Sequence, residues 1–334
     1  MKKMTKLIGT LGLGLLLAAC GNDAAAQDNQ GPITIVLYPN ESGSEFGAVH
    51  EDMERLIYEA TGRPGQVMTT VDYNIAIEAI ANGSADLAFM GPTGYIIASN
   101  RNPNVQAMFV SSGPSGTLED AVYYSFLAVR EEDGHLWEDG NGGYDLSLLE
   151  GESMSFVALT STSGFVVPSI GLASLGFLPD GVMAEDHFGI AGPFFSEVLM
   201  GQSHQGAAFN LLTEQTNVAA FFNMESVFEH YSGPLNQAGM VYAVRQDAEA
   251  PLDTVRGEQM RIISSIAVPN APFVANFDTL TEEEIDAITE IFLSDSVTYN
   301  ENFFATDSES VSFHTRTGAE RYLRVPAGFF DDLR

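Results

Sequence analysis

Lysine stops at the sixth residue: Lys2, Lys3 and Lys6 are the only lysines in 334 residues. The formal net charge of −31 includes those three, and without them it falls to about −34. So acidic a surface repels nucleic-acid backbones and anionic headgroups, which excludes a nucleic-acid-binding role. Cysteine is scarcer still. Cys20 is the single one, so no intrachain disulfide framework exists. Metal-ligand spacing is missing as well: His50, His135, His187, His230 and His314 are scattered among polar neighbours, and no metal or cofactor is expected. Past the first twenty residues no apolar run reaches about 18, the length that would suggest a membrane span.

The start of the chain reads as an address. A positive segment is followed by the apolar run Leu7–Leu17, which is short for a transmembrane helix. Leu17-Ala18-Ala19-Cys20-Gly21 then resembles a bacterial lipobox, making residues 1–19 a lipoprotein signal peptide and Cys20 the expected site of lipid attachment. The small polar residues that follow give a tether over 20–31. Together these predict a lipid-anchored protein on the periplasmic or extracellular face of the cytoplasmic or outer membrane.

From Ile33 onward, apolar runs with strand character alternate with segments of helical spacing. Strands are predicted at Ile33–Tyr38, Gln66–Val71, Asp86–Met90 and Val105–Val110, with helices over Phe46–Thr61, Ile75–Ala81 and Ile96–Asn100. This alternation implies an α/β protein with a parallel, doubly wound sheet. Tyr123–Val129 leads into a Gly-rich polar stretch, and the alternation then begins afresh with strand Met154–Leu159 and helix Val166–Gly176. Phe194–Met200 reads as a helix, as do Gln205–Thr213 and the capped segment Thr281–Phe292; Val218–Phe222, Met240–Val244 and Arg261–Ile266 read as strands. Two lobes with two hinge crossings follow, with residues 32–126 and 271–334 in lobe 1 and 127–270 in lobe 2. Such a clamshell closes on a small ligand.

One feature recurs at the strand-to-helix turns. Tyr73, Thr93 and the run Ser161-Thr162-Ser163 each fall just after a strand and just before a helix. Hydroxyls in this position cap a helix, and the unpaired N–H groups of its first turn form a pocket for an anion. Ligands in open α/β sheets bind beyond the carboxyl ends of the strands, which is where these residues fall.

Ser161-Thr162-Ser163-Gly164-Phe165 with Pro168, then Gly201-Gln202-Ser203-His204-Gln205-Gly206-Ala207-Ala208 and a strand near Asn217–Ala220, resembles the phosphate/phosphite/phosphonate-binding proteins of ABC transporters. The resemblance runs from about Ile33 to Arg324 and implies a type II periplasmic binding protein clamshell. It further implies a non-enzymatic, monomeric protein that binds a small oxyanion and delivers it to a permease. Ser161, Thr162 and Ser163 become the main donors to ligand oxygens, with His204 facing them and Tyr73 and Thr93 contributing from the first lobe. If His204 contacts the anion, proton uptake near neutral pH is expected. Family members that take aminoalkylphosphonates look to hold the amine with acidic side chains. The matching positions here, near Met224 and Ala271, are non-acidic, although Glu225 is adjacent, so phosphate, phosphite or methylphosphonate is favoured. Two other readings stand beside this one: a binding protein that serves a membrane sensor kinase, and a serine hydrolase built on Ser161 or Ser163 with His204. The second lacks a G-x-S-x-G elbow.

Overall fold

A computed structural model describes residues 31–306 and 312–333. The expected leader, Cys20 and nearly all of the tether lie outside the described residues. In chain order the strands are β1 (Ile33–Leu37), β2 (Gly65–Thr69), β3 (Leu87–Phe89), β4 (Val105–Ser111), β5 (Val122–Arg130), β6 (Ser153–Phe156), β7 (Glu197–Met200), β8 (Val218–Phe222), β9 (Phe228–Ser232), β10 (Val241–Val244), β11 (Gln259–Pro269), β12 (Pro272–Asn276), β13 (Phe304–Ala305), β14 (His314–Thr315) and β15 (Tyr322–Arg324). The helices are α1 (Gly47–Thr61), α2 (Tyr73–Asn82), α3 (Pro92–Arg101), α4 (Val167–Ser174), α5 (Ala184–Phe188), α6 (His204–Leu212), α7 (Glu282–Phe292) and α8 (Asp295–Thr298). Among the described residues no helix is long and apolar enough to cross a membrane.

Two large sheets organise the chain. The first runs β15-β4-β12-β3-β1-β2 and the second β7-β6-β8-β5-β11-β10-β9. Side-chain alternation in β1 shows why helices cover both faces of the first sheet. Ile33, Ile35 and Leu37 point into a core shared with Leu56 and Ile57 of α1 and Ile285, Ile288 and Phe292 of α7. Val36 points the other way, to Ile77 and Ile80 of α2 and Ala98 of α3. Helix α7 starts at the capping box its sequence predicts: Thr281 Oγ1 accepts from the Glu284 N–H at 3.2 Å, and the Glu284 carboxylate accepts from the Thr281 N–H at 2.9 Å.

The sheets are mixed, not wholly parallel. The parallel pairings expected of β1, β2 and β3 are present, but β12 returns from the second lobe and inserts antiparallel between β3 and β4. A chain that comes back through a second crossing enters the sheet from the opposite end, and its direction reverses accordingly. Phe194–Met200 also differs from expectation. Instead of a helix, its last four residues form β7, parallel to β6 in the register Ser153↔Glu197 to Phe156↔Met200. A short apolar run does not fix its own period, and here the free edge of β6 decides it.

The crossings lie side by side. The chain leaves the first sheet after Ser111, enters the second at Val122, and comes back through Asn270 and Ala271. Asn270 joins the two passages, donating its N–H to the Ala121 carbonyl (2.9 Å) and its Nδ2 to the Ser111 carbonyl (2.8 Å). The boundary drawn at 126/127 therefore falls inside β5, a strand wholly of the second sheet. The Gly-rich segment that suggested it is a loop of the second lobe.

Candidate functional site

Five strand-to-helix turns, three from the first lobe and two from the second, line one cavity of about 560 Å³ between the lobes. The first lobe supplies Tyr38, Asn40 and Glu41 after β1, Tyr73 at the start of α2, and Gly91 before α3. The second supplies Ser161, Thr162 and Ser163 after β6, and His204 at the start of α6. Tyr123 and Phe222 close the side nearest the crossings.

The Ser161–Ser163 turn owes its shape to local sequence. Ser161 Oγ accepts from the Gly164 N–H at 3.1 Å, while the Ser161 carbonyl accepts from both Phe165 and Val166, 3.1 Å each. The second of these bonds spans five residues and opens a single π-helical turn, Thr162–Val166, ahead of α4. Gly164 is required because a Cβ there would collide with the Val157 side chain. Within this turn the backbone N–H groups of Thr162 and Ser163 find no acceptor among the described residues. Two adjacent unpaired donors at a helix start, flanked by three buried hydroxyls, form a nest for an anion.

His204 is fixed by a glycine pair. Gly201 and Gly206 face each other so closely that a Cβ on either would strike the other's backbone or its neighbour's, and Ser203 Oγ caps α6 by accepting from the Gly206 N–H at 3.0 Å. The His204 N–H then donates across the lobes to Asn40 Oδ1 (3.2 Å), and Gln205 Nε2 donates to the Asn40 carbonyl (2.9 Å). Asn40 Nδ2 in turn donates to the Tyr73 hydroxyl at 2.8 Å, and the Tyr73 ring stacks on Tyr38 with centroids 4.0 Å apart.

Thr162 is a second point where the lobes meet. Its Oγ1 accepts from the Thr93 N–H at 2.9 Å. Gly91 leaves room for this approach, since a Cβ there would lie 2.8 Å from Thr162 Oγ1.

Tyr73, Ser161, Thr162, Ser163 and His204 are thus brought around one cavity. Thr93 adjoins it through its backbone N–H, and its side chain is not among the lining groups. Sequence reasoning missed Tyr38, Asn40, Glu41 and Tyr123. The first three follow β1 at the same strand-to-helix position as the others, a signal that was available. Tyr123, whose hydroxyl bonds Ser163 and Thr162 and is pushed up to about 12 by burial, sits in an aromatic strand with nothing to mark it.

Electrostatically the cavity is neutral to acidic. No Arg lines it among the described residues, whereas Glu41, Asp120, Glu225 and Glu320 do. His204 adds no charge. Burial pushes its imidazole down to about 3, and Nδ1 accepts the Phe222 N–H at 3.2 Å, which leaves the proton on Nε2. At neutral pH the ring is therefore neutral and offers one donor, Nε2–H. Proton uptake by His204 on binding, expected from the sequence, has to work against this burial. Because Nδ1 is held by a backbone N–H and not by a carboxylate, the ring also lacks the orienting acid of a nucleophile–base pair.

Hinged lobes around a cavity of neutral donors define a solute-binding protein. A profile of the family described as "ABC transporter, phosphonate, periplasmic substrate-binding protein" matches residues 35–313. The chain belongs to that family. It is 26% identical over 219 residues to the phosphate-import protein PhnD of Mycolicibacterium smegmatis, a match covering 62% of this chain and 65% of that protein. The chain thus spans somewhat under two thirds of that relative's length. Among solved structures, a binding-protein component of an ABC phosphonate transporter from Pseudomonas aeruginosa superposes with a TM-score of 0.64 at 17% identity, covering 91% of this chain and 85% of the other. PhnD1 of Prochlorococcus marinus in complex with methylphosphonate gives 0.62 at 12% identity, over 91% and 96%. At these identities the likeness is one of fold.

Proposed function

We propose that this protein is the extracytoplasmic solute-binding component of an ABC importer and holds a small phosphorus oxyanion, such as phosphate, phosphite or an alkylphosphonate, between its lobes. One observation carries the reading: the unpaired N–H groups of Thr162 and Ser163 sit among the hydroxyls of Ser161, Thr162, Ser163, Tyr73 and Tyr123 in a cavity that spans both lobes. A tetrahedral oxyanion presents acceptors on every side, and these groups can donate to all of them without a cation. The dipoles of α2, α3 and α6 add partial positive charge at the same place. In this reading Cys20 carries the lipid anchor, the protein works as a monomer, and the closed form is the one the permease receives.

The cavity is much larger than a phosphoryl group, a single water occupying about 30 Å³ of liquid. The head binds at the Ser161–Ser163 end, and the space toward Phe89, Leu235 and Phe313 accepts a short apolar substituent. Thermal melts with phosphate, phosphite, methylphosphonate, ethylphosphonate, aminoethylphosphonate and sulfate test this assignment. A ligand specific for the folded state present at a hundred times its Kd stabilises by about 2.7 kcal/mol. We expect phosphate, phosphite or an alkylphosphonate to raise the melting temperature by several degrees, and sulfate to have less effect. A panel without any shift contradicts the assignment.

A further inference from the structure

Among the ionisable groups that line the cavity and take no part in the donor set, Glu41 is the one beside Asn40 and Tyr73. It sits in the short turn after β1 and is 8% exposed. Its Oε2 is enclosed, out of a ligand's reach, and makes no hydrogen bond among the described residues, so Oε1 is the oxygen that can turn to the cavity. A carboxylate so placed would be a buried charge with no cation beside it, steadied only by Asn40 and the backbone of Tyr38 and Glu41. A carboxylic acid in the same position can offer its O–H from Oε1 to an acceptor in the cavity.

The surroundings favour the acid. Burial raises the carboxyl from 4.5 to about 8, against smaller opposing effects of its own backbone, Asn40 and the Tyr38 backbone. The groups that face it do not supply a cation. Tyr38, Tyr73 and Tyr123 are held in their protonated, neutral form by burial. His50 on α1 and His204 on α6 are both pushed down by burial, so both are neutral above pH 7. The remaining acidic side chains of the cavity, Asp120, Glu225 and Glu320, offer no positive charge either.

Resting on the oxyanion reading above, we propose that Glu41 is a specificity-determining residue of the cleft, which as a carboxylic acid donates its O–H to an oxygen of the bound phosphoryl group. No bond to the ligand forms, and the proton stays within that hydrogen bond. Once ionised, the same side chain turns an acceptor and a negative charge toward an anion, and binding weakens. A cleft without cations in an acidic protein thus gains a donor from an acid, and the gain ends in mildly alkaline solution.

The test is calorimetric titration of wild type and Glu41→Gln with phosphate and with methylphosphonate between pH 6.5 and 9.5. The amide keeps a donor and never ionises. The ligand's own ionisation is common to both proteins and cancels in the ratio of their affinities. We expect that ratio to be flat up to about pH 8 and to turn against wild type by about tenfold per unit above it. Near pH 8.5, wild type should take up more protons on binding than Glu41→Gln, seen as heats that vary more steeply with the buffer's ionisation enthalpy, the ligand's own share being common to both. If the variant fails to fold, the wild-type count with phosphate and with methylphosphonate, whose second ionisations differ, separates the protein's proton from the ligand's. Equal pH dependence in both proteins, or binding by wild type without proton uptake at pH 8.5, overturns the role of Glu41 alone. Absence of binding at every pH overturns the oxyanion reading together with it.

Discussion

Thr162→Ala is expected to bind phosphate or methylphosphonate about ten- to a hundredfold more weakly than wild type, with a nearly unchanged melting temperature in the absence of ligand. The hydroxyl has two tasks in the closed protein. It accepts the Thr93 N–H from the opposite lobe, and it stands beside the unpaired N–H groups that we propose receive the anion. Hydrogen bonds to a charged group are worth about 1.5–3 kcal/mol, and a buried N–H left unpaired costs a comparable amount. Neither penalty falls on the open form, in which the Thr93 N–H meets water, so the loss enters binding and not folding. Thr162→Ser keeps the oxygen and should retain most of the affinity. Calorimetric titration measures both variants, and an affinity for Thr162→Ala equal to wild type would remove this hydroxyl from the site.

Gly206→Ala should have the largest effect on stability. A Cβ at this position runs into the Gly201 carbonyl, which belongs to the backbone of a tight turn and has little freedom to move aside. Helix propensity favours alanine by about 1 kcal/mol, while forcing an extra methyl into such a contact costs about 1–3 kcal/mol and occasionally more. The contact also holds His204 against Asn40, so ligand affinity should fall along with the melting temperature. Gly47→Ala is the matched control: it too lies in a helix, yet nothing stands within 4 Å of the added Cβ, and stability should hold or rise slightly. Urea midpoints for both variants separate steric cost from propensity. A Gly206→Ala protein as stable as wild type would mean that the turn yields more readily than its geometry indicates.

The glycine pair shows how part of the site could be read from sequence. Gly201-x-x-His204-x-Gly206 carries its meaning in residue types, because only glycine allows the close approach that sets the histidine. Ser161-Thr162-Ser163 is legible for a similar reason, its hydroxyls clustering at a strand-to-helix turn beyond what one cap requires. Asn40 and Glu41 are different. A Pro-Asn-Glu turn is ordinary surface sequence, and its burial arises only when α6 from the other lobe settles over it through His204 and Gln205. The antiparallel insertion of β12 and the strand at Glu197–Met200 were hidden likewise, since a strand's direction and the pairing of a short apolar run depend on a neighbour distant in sequence. Thr93 marks the limit of the pattern. Its position at the start of α3 was informative, but the group it brings to the lobe contact is its N–H, which any residue other than proline would provide.

An oxyanion held by neutral donors owes its affinity to the number and placement of N–H and O–H groups, and these are complete only when both lobes contribute. The most direct measurement is a crystal structure of the protein grown with methylphosphonate. The account predicts tetrahedral density within hydrogen-bonding distance of the Thr162 and Ser163 N–H groups, the Ser161–Ser163 hydroxyls and His204, with the lobes closed over it. Ligand density bound elsewhere on the molecule, or an empty cavity at saturating methylphosphonate and at saturating phosphate, would contradict it.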